Sequence, residues 1–177
     1  ERGYIPLLPD KLCYASVESA NGDWYVSVTV TETFTPPAEL KPVTLGVSIG
    51  IIDTAGTSTG VIYENPKIYE QYEAKKVRLQ RELSRRSHKD ADGKVIKGAN
   101  WKKTKAKLAR LESRIARARK HHLHNTSKAI ADTLPSVIVV KDMDIQQLQK
   151  GKKPAKRRIN RKIADAGMGE LRRQIEY

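Results

Sequence analysis

The sequence V-T-L-G-V-S-I-G at residues 43–50 alternates apolar residues at 45, 47 and 49 with small residues at 46, 48 and 50. Strict alternation of this kind predicts a β-strand with one buried face. A second apolar run, V-I-V-V at residues 137–140, does not alternate and is typical of a strand covered on both faces. Because a long segment of helical pattern separates the two runs, the sequence predicts an α/β fold.

The segment between the two runs contains two helical stretches, Glu70 to Arg86 and Ala99 to Thr133. In the second stretch, residues 101, 104, 108, 111, 115, 118 and 122 repeat at alternating three- and four-residue spacing, which is a heptad-like seam. The two stretches therefore predict an antiparallel basic helical hairpin over about 70–134. We expect Ser87 to Gly98 to form its flexible tip and Pro135 to end its second helix.

The first forty residues have the pattern of a β-hairpin. Two β-rich runs, Leu12 to Val17 and Trp24 to Thr33, flank the turn signal Asn21-Gly22-Asp23. Alternation in the second run indicates that one of its faces is buried. We predict two domains, a β unit at residues 1–40 and an α/β unit at residues 41–177.

Positive charge is concentrated in two segments. The 177-residue chain has a net charge of +14. Residues 75–120 hold 18 basic and 4 acidic side chains, and residues 150–162 hold 8 basic and no acidic ones. Such concentration is typical of a protein that binds a polyanion. The sequence contains no run of 18 apolar residues, which excludes a membrane span. Its single cysteine excludes an internal disulfide.

The Lys and Arg side chains of these two segments are the candidate nucleic-acid-binding residues. Contacts from such residues to phosphates give an affinity that is independent of sequence and sensitive to salt. The alternatives are a solvated surface for the helices and a disordered loop for residues 150–162. We favour binding for the helices because so much like charge destabilises a hairpin without a partner. The candidates are Lys75, Lys76, Arg78, Arg81, Arg85, Arg86, Lys102, Lys103, Lys105, Lys107, Arg110, Arg114, Arg117, Lys152, Lys153, Arg157 and Arg158.

Three other groups of residues receive structural interpretations. Ser48 lies between two glycines and fits a position where strands pack closely. The histidines at 121, 122 and 124 are not favoured as metal ligands, because a helix turns by about 100° between residues 121 and 122. Trp24 and Trp101 are interpreted as packing residues rather than as platforms for nucleobases.

Several strings of the sequence, taken together, resemble one family. They are V-I-V-V-K-D-M-D at 137–144, E-N-P-K-I at 64–68, R-L-Q-R-E-L-S-R-R at 78–86, K-L-A-R-L-E-S-R-I-A at 107–116 and G-E-L-R-R-Q-I-E-Y at 169–177. With the strand at 43–50, their order and spacing resemble the TnpB-like, transposon-associated RNA-guided nucleases. The resemblance implies an RNase H-like (RuvC-type) domain with an inserted basic helical hairpin. It also implies that residues 1–35 are closing strands of a wedge, or oligonucleotide-binding-like, β-barrel.

Such domains hold two metal ions with carboxylates, but this sequence departs from the family pattern at both carboxylate positions that it contains. The resemblance places the first carboxylate at Ser48 and the second at Lys141, and a third beyond Tyr177. A hydroxyl is a poor ligand for a hard divalent cation, and an ammonium group repels one. We therefore expect that Mg²⁺ binding is lost, that the protein has no cofactor or metal, and that it is not an enzyme.

Three nearby acids are the candidates for replacement ligands: Asp53, Asp142 and Asp144. Alternation along a strand directs Asp142 away from Lys141 and places Asp144 about 6–7 Å further along. Asp53 lies past the end of the first strand. We expect instead that Lys141 forms an ion pair with a nearby aspartate.

The resemblance and the substitutions together predict a nuclease-dead RNA-guided DNA-binding protein, acting as a guide-RNA-directed transcriptional repressor. Its expected partners are a guide RNA and double-stranded target DNA, with no membrane contact, in the nucleoid of a prokaryotic cytoplasm. The oligomeric state stays open. The first alternative is an active RNA-guided endonuclease with relocated metal ligands, and the second is a transposon remnant or a plain RNA-binding module.

Overall fold

The computed structural model describes residues 12–20, 23–31, 39–89, 95–150 and 154–176. The chain divides into two compact units, Glu1–Pro36 and Pro37–Tyr177. Strands and helices both occur in the second unit, so the predicted α/β class is confirmed. The assignments to an RNase H-like domain and to a wedge β-barrel stay predictions.

The first unit contains the predicted β-hairpin. Strands β1 (Leu12–Ala20) and β2 (Asp23–Val30) pair in antiparallel register. The prediction of a buried face is wrong for the described residues of this unit, since Trp24 and Val26 are exposed. The physical reason is that a two-stranded sheet has no second layer of its own to cover either face.

A four-stranded sheet forms the centre of the second unit. Its strand order is β5-β4-β3-β8, and β3 pairs parallel to β8 while the other neighbours pair antiparallel. Leu45, Val47 and Ile49 of β3 are buried, as the alternation predicts. The strands are β3 (Lys41–Ile49), β4 (Asp53–Thr57), β5 (Ile62–Glu64) and β8 (Pro135–Val140).

Strand β8 is covered on one face only. Val137 and Val139 are 50% and 53% exposed, whereas Ile138 and Val140 pack against the core. The prediction that this strand is covered on both faces is therefore wrong for the described residues. The reason is that the helices of the core pack against one face of the sheet, which leaves the other face of β8 exposed within the described residues.

The predicted helical hairpin is confirmed. Helices α1 (Ile68–Arg85) and α2 (Ala99–Ala131) pack along a seam that contains Leu79, Leu111 and Ile115. The two helices are antiparallel, because the end of α1 contacts the start of α2 and residues earlier in α1 contact residues later in α2. The heptad spacing alone thus located this element to within a few residues at each end.

The predicted flexible tip is partly wrong. Strands β6 (Ser87–Lys89) and β7 (Val95–Lys97) pair in antiparallel register between the two helices. Residues 90–94 of the predicted tip lie outside the described residues. Helix α2 ends at Ala131, and Leu134, with φ of 53°, reverses the chain before Pro135 begins β8.

Three helices follow the sheet: α3 (Ile145–Gln149), α4 (Pro154–Ala166) and α5 (Met168–Glu176). Much of residues 149–162, which the composition predicts as a loop, belongs to α4. Pro154 is compatible with this helix because the first helical position needs no N–H donor. The spacing of Met168, Leu171 and Ile175 predicts one helix from Ile163 to Tyr177. The structure instead divides its described residues between α4 and α5, since Gly167 adopts φ of 62° between them.

The main core lies between one face of the sheet and helices α2, α4 and α5. Leu123 and Ile130 of α2 and Leu171 of α5 are at most 2% exposed and pack against the apolar residues of β3. The hairpin extends from this core with its own small seam. Of the helices in the described ranges, none has the length and hydropathy needed to cross a membrane.

Candidate nucleic-acid interface

Four basic residues of α1 line one side of that helix. Lys75, Arg78, Arg81 and Arg85 are exposed and follow each other at intervals of three, three and four residues. Such intervals bring side chains to neighbouring positions on a helix surface. The three arginines also line one shallow groove, together with small side chains of the same helix. None of the four forms an ion pair with another residue that the structure describes.

Helix α2 carries a second row of basic residues. Lys103, Lys107, Arg110, Arg114 and Arg117 are all exposed, and their intervals alternate between four and three residues. This is the same repeat as the apolar seam of α2, displaced by one residue. The row therefore runs parallel to the seam over four turns of the helix.

The two rows lie on the same side of the hairpin. At the middle of each row the basic residue comes immediately before a seam residue, since Arg78 precedes Leu79 and Arg110 precedes Leu111. One residue corresponds to a rotation of about 100° around the helix axis. Because the helices run in opposite directions, this rotation turns both rows toward the same side. We call the nine residues of the two rows the cationic face.

Two of the predicted binding residues have structural partners instead. Lys76 Nζ lies 2.9 Å from Glu112 Oε1, and Arg86 pairs with Glu82 at 2.6 Å while also donating to the Thr104 hydroxyl. The Lys76–Glu112 and Arg86–Thr104 contacts join α1 to α2 at two positions along the hairpin. Lys102 and Lys105 belong to the first turns of α2 and are exposed there.

The second predicted binding segment is partly neutralised by acidic residues. On α4, Arg161 pairs with Glu73 at 3.2 Å and Lys162 with Glu70 at 3.6 Å, so this helix docks on the acidic start of α1. Arg158 lines a 490 Å³ groove between these helices. Arg157 is exposed on α4, and Lys152 and Lys153 lie outside the described residues.

Asp165 joins three helices at the base of the hairpin. Its carboxylate accepts a hydrogen bond from Arg119 of α2 at 2.7 Å and another from the backbone N–H of Tyr69 at 3.0 Å. The side chain is 9% exposed. It supplies the acceptor at the start of α1, where the N-cap residue makes no side-chain cap. The sequence analysis did not identify this residue. The one feature that could have drawn attention to it is an acidic residue shortly after the basic segment 150–162.

Ser48 and Lys141 each follow one member of a register pair between the parallel strands β3 and β8. Val47 pairs with Val140 in the parallel register of β3 and β8, so the next residues of the two strands are neighbours at the carboxyl ends. Both side chains are exposed. This end of a sheet is where sites tend to lie in α/β folds.

The acids near Lys141 differ from expectation. Strand β8 ends at Val140, so alternation along a strand does not fix the directions of Asp142 and Asp144. The predicted ion pair of Lys141 is wrong within the described residues, since Asp142 pairs with Arg172 of α5. Hydrogen bonds to Glu176 and to Asp142 raise the pKa of Arg172. Asp144 instead accepts a hydrogen bond from the backbone N–H of Gln147 at 2.9 Å and caps α3.

Positions 48 and 141 supply no carboxylate ligand for a divalent metal ion at this end of the sheet. One hydroxyl and one ammonium group occupy positions 48 and 141, and the two nearby carboxylates already have partners. Over the described ranges, no group of three or more His, Cys, Asp or Glu side chains could hold a metal ion. Asp53 lies on the other side of β3, in β4.

His122 has a structural contact with the sheet. Its Nε2 lies 2.8 Å from the hydroxyl of Thr54, a buried residue of β4 whose hydroxyl also donates to the Glu64 carbonyl. Burial, and secondarily the neighbouring His121, lowers the pKa of His122. The contact holds α2 against β4.

The architecture defines a class of α/β proteins in which a cationic helical hairpin connects two parallel strands of one sheet. Residues 25–152 match the family model OrfB_IS605, described as a probable transposase. Since this match covers most of the chain, the chain belongs to that family. The predicted relationship to transposon-associated TnpB-like proteins is thereby confirmed.

Two curated relatives match over most of this chain. One, "Putative RNA-guided DNA endonuclease InsQ" of Escherichia coli strain K12, is 31% identical over 92% of this chain and 40% of its own length. A second, "Putative RNA-guided DNA endonuclease" of Streptomyces pristinaespiralis, is 34% identical over 88% of this chain and 35% of its own length. The chain thus spans well under half the length of either relative.

These names overturn the prediction that the protein is not an enzyme. Both relatives are named as endonucleases, and the family is described as a transposase. The prediction relied on Ser48 and Lys141 and on a strand alternation that excluded Asp142. Because β8 ends before Lys141, that exclusion has no structural basis.

Proposed function

We propose that the protein acts in guide-RNA-directed DNA recognition and cleavage. In this proposal the cationic face binds the phosphate backbones of guide RNA and target DNA, and base pairing supplies the sequence specificity. The observation that carries the proposal is the alignment of nine exposed basic residues on one side of the hairpin. The names of the two relatives support the same function.

The dimensions of the cationic face suit a polynucleotide backbone. From Lys75 to Arg85 the row on α1 extends about 15 Å, at 1.5 Å per residue. The row on α2 from Lys103 to Arg117 extends about 21 Å. Rows of this length contact several successive phosphates, which fixes register without reading bases.

We also propose an RNase H-like fold for residues 41–177 and a wedge-type β-barrel that includes residues 1–40. The strand order β5-β4-β3-β8, with two antiparallel pairs and one parallel pair, supports the first assignment. The hairpin β1–β2 is compatible with the second.

Cleavage requires carboxylates other than those the resemblance places at residues 48 and 141. We propose that such a ligand set is relocated, with Asp142 or Asp144 as its contribution from this chain. Asp142 suits this role because its ion pair with Arg172 is 89% exposed on the aspartate side, and exposed pairs contribute only about 0–1 kcal/mol.

The test is a cleavage assay of the longer protein with its guide RNA, a matched DNA duplex and Mg²⁺ or Mn²⁺. We expect cut product that is lost in the Asp142→Asn or the Asp144→Asn variant. The control is Glu39→Gln, a change at an exposed acid that precedes the start of β3. Guide-dependent binding without any product under these conditions contradicts the proposed cleavage.

The second candidate function is guide-directed transcriptional repression, in which the bound complex blocks a promoter. The observation that favours it is the pair Ser48 and Lys141 at the carboxyl ends of β3 and β8. A reporter with a matched promoter distinguishes the candidates, since repression is expected to leave the reporter DNA intact whereas cleavage removes it. The variant Ser48→Asp/Lys141→Glu is the matched comparison.

A further inference from the structure

Two lysine ammonium groups lie over the indole ring of Trp101 at the tip of the hairpin. Lys97 Nζ is 5.0 Å from the ring centroid and Lys105 Nζ is 5.4 Å from it. Lys97 belongs to β7, and Lys105 follows Trp101 by one turn of α2, so two elements supply the cations. A role in packing accounts for the half-buried ring but not for the two charges next to it.

Within the described residues, no acidic side chain compensates the charges of this cluster. Lys97 and Lys105 are exposed, and neither forms an ion pair with a carboxylate in the part of the chain that the structure describes. The first turn of α2 contains no acidic residue. Two like charges beside one ring repel each other, and an anion between them relieves this repulsion. The cluster therefore fits a ligand that combines an aromatic plane with negative charge.

We propose that Lys97, Trp101 and Lys105 bind an unpaired nucleotide. Its base stacks on the indole in place of the ammonium groups, and the two exposed lysine side chains turn aside to contact its phosphates. Stacking on an aromatic side chain tolerates any base, because every base has a π-face. Nucleotides inside a duplex are excluded, since both faces of their bases are already stacked. This inference rests on the proposed nucleic-acid-binding function and adds a site for unpaired strands at the tip, next to the cationic face for backbones.

The first test uses tryptophan fluorescence. The sequence has two tryptophans, so Trp24→Phe leaves Trp101 as its only one. This variant is titrated with an unpaired RNA of roughly 12 nucleotides, DNA of the same sequence, the RNA duplex and an abasic DNA strand of equal length. Unpaired RNA, unpaired DNA or both are expected to quench the fluorescence to saturation, and the preferred strand identifies the ligand. Equal quenching by the abasic strand or the duplex, or none by either unpaired strand, overturns the inference.

The second test separates this site from the rest of the interface. In binding assays with labelled strands, Trp101→Ala is expected to weaken binding of the unpaired strand about tenfold or more, with little change for the duplex. Trp101→Phe is expected to retain most of the affinity, because a smaller ring still stacks. Lys97→Gln/Lys105→Gln is expected to reduce the slope of log affinity against log salt by about 1.4 for the unpaired strand.

The failures of the two proposals are distinguishable. If Trp101→Ala weakens the unpaired strand and the duplex equally, or neither, the nucleotide site is refuted while the cationic face stands. If the unsubstituted chain binds neither strand nor duplex, both proposals fail. Thermal melting of each variant shows whether a loss of binding comes from unfolding, and Trp101→Phe then decides the matter with the fold intact.

Discussion

The sheet region and the hairpin of the second unit differ in which side chains they bury and which they expose. Among the described residues, ten buried ones form one core between the sheet and helices α2, α4 and α5, whereas four form the seam between α1 and α2. The hairpin exposes most of its cationic residues, and the sheet region holds most of the buried apolar ones. The difference indicates that the sheet region provides most of the free energy of unfolding. The exposed like charges of the hairpin lower it.

The largest effect is expected from Leu171→Ala in the sheet core. Leu171 is completely buried, and such a truncation lowers the free energy of unfolding by about 2–5 kcal/mol. Urea denaturation followed by circular dichroism measures this change. Leu148→Ala, at a residue 40% exposed, is the control with a small expected change.

The same truncation in the seam sharpens the comparison. Leu79→Ala is expected to open the hairpin locally, so amide hydrogen exchange accelerates in α1 and the adjoining part of α2 before the sheet region is affected. Uniform acceleration through β3 and β8 would show that the two regions unfold as one unit.

Gly167→Ala is expected to be the next most damaging change. At φ of 62° an alanine is strained, and its Cβ falls 2.7 Å from the Cδ1 atom of buried Leu123. Strain and overpacking together lower the free energy of unfolding by about 3 kcal/mol. The control is Gly56→Ala, where a Cβ meets nothing within 4 Å. Equal urea midpoints for the two variants would contradict the assigned role of Gly167.

Asp165→Asn tests the junction between the two regions. The asparagine keeps an acceptor for the Tyr69 N–H but loses the charge that pairs with Arg119, so we expect a loss of about 2 kcal/mol. The loss is below that of a fully buried pair, because the Arg119 side chain is 28% exposed. Urea denaturation at two salt concentrations measures it. Glu73→Gln, which removes the exposed partner of Arg161, is expected to cost much less.

The smallest expected effect is the pH dependence contributed by His122. Because burial lowers its pKa below 6.5, the folded chain binds fewer protons there than the unfolded chain does. Its contribution to stability is therefore complete above pH 6.5 and is lost as the pH falls through and below that value. His122→Gln is expected to reduce the difference between urea midpoints at pH 7.5 and pH 5.5. His124→Gln, at an exposed position of the same helix, should leave that difference unchanged.

Local periodicity was enough to predict the parts of the fold that depend on one apolar face. The alternation in β3 and the heptad seam of α2 each describe contacts that recur at a fixed interval, so they are visible in a short window. The exposed rows of the cationic face follow from the same seam. The predicted binding residues in α1 and α2 were for this reason placed on the correct element.

The predictions that were wrong depend on contacts between residues that are far apart in the sequence. The apolar run of β8 could not show which of its faces is covered, because the helices that cover a sheet come from elsewhere in the sequence. The basic composition of residues 150–162 concealed a helix whose charges pair with Glu70 and Glu73 of α1. Asp165 likewise contacts Tyr69, ninety-six positions earlier in the chain. The ending of β8 at Val140 removed the geometric basis for excluding Asp142 as a ligand.

The contact of Asp165 at the base of the hairpin has a mechanical consequence. Helix α1 has 18 residues and is therefore about 27 Å long. Over that length, a rotation of about 10° at the base displaces the far end of the helix by about 5 Å. The two hydrogen bonds of the Asp165 carboxylate therefore help to fix the direction of the hairpin relative to the sheet region.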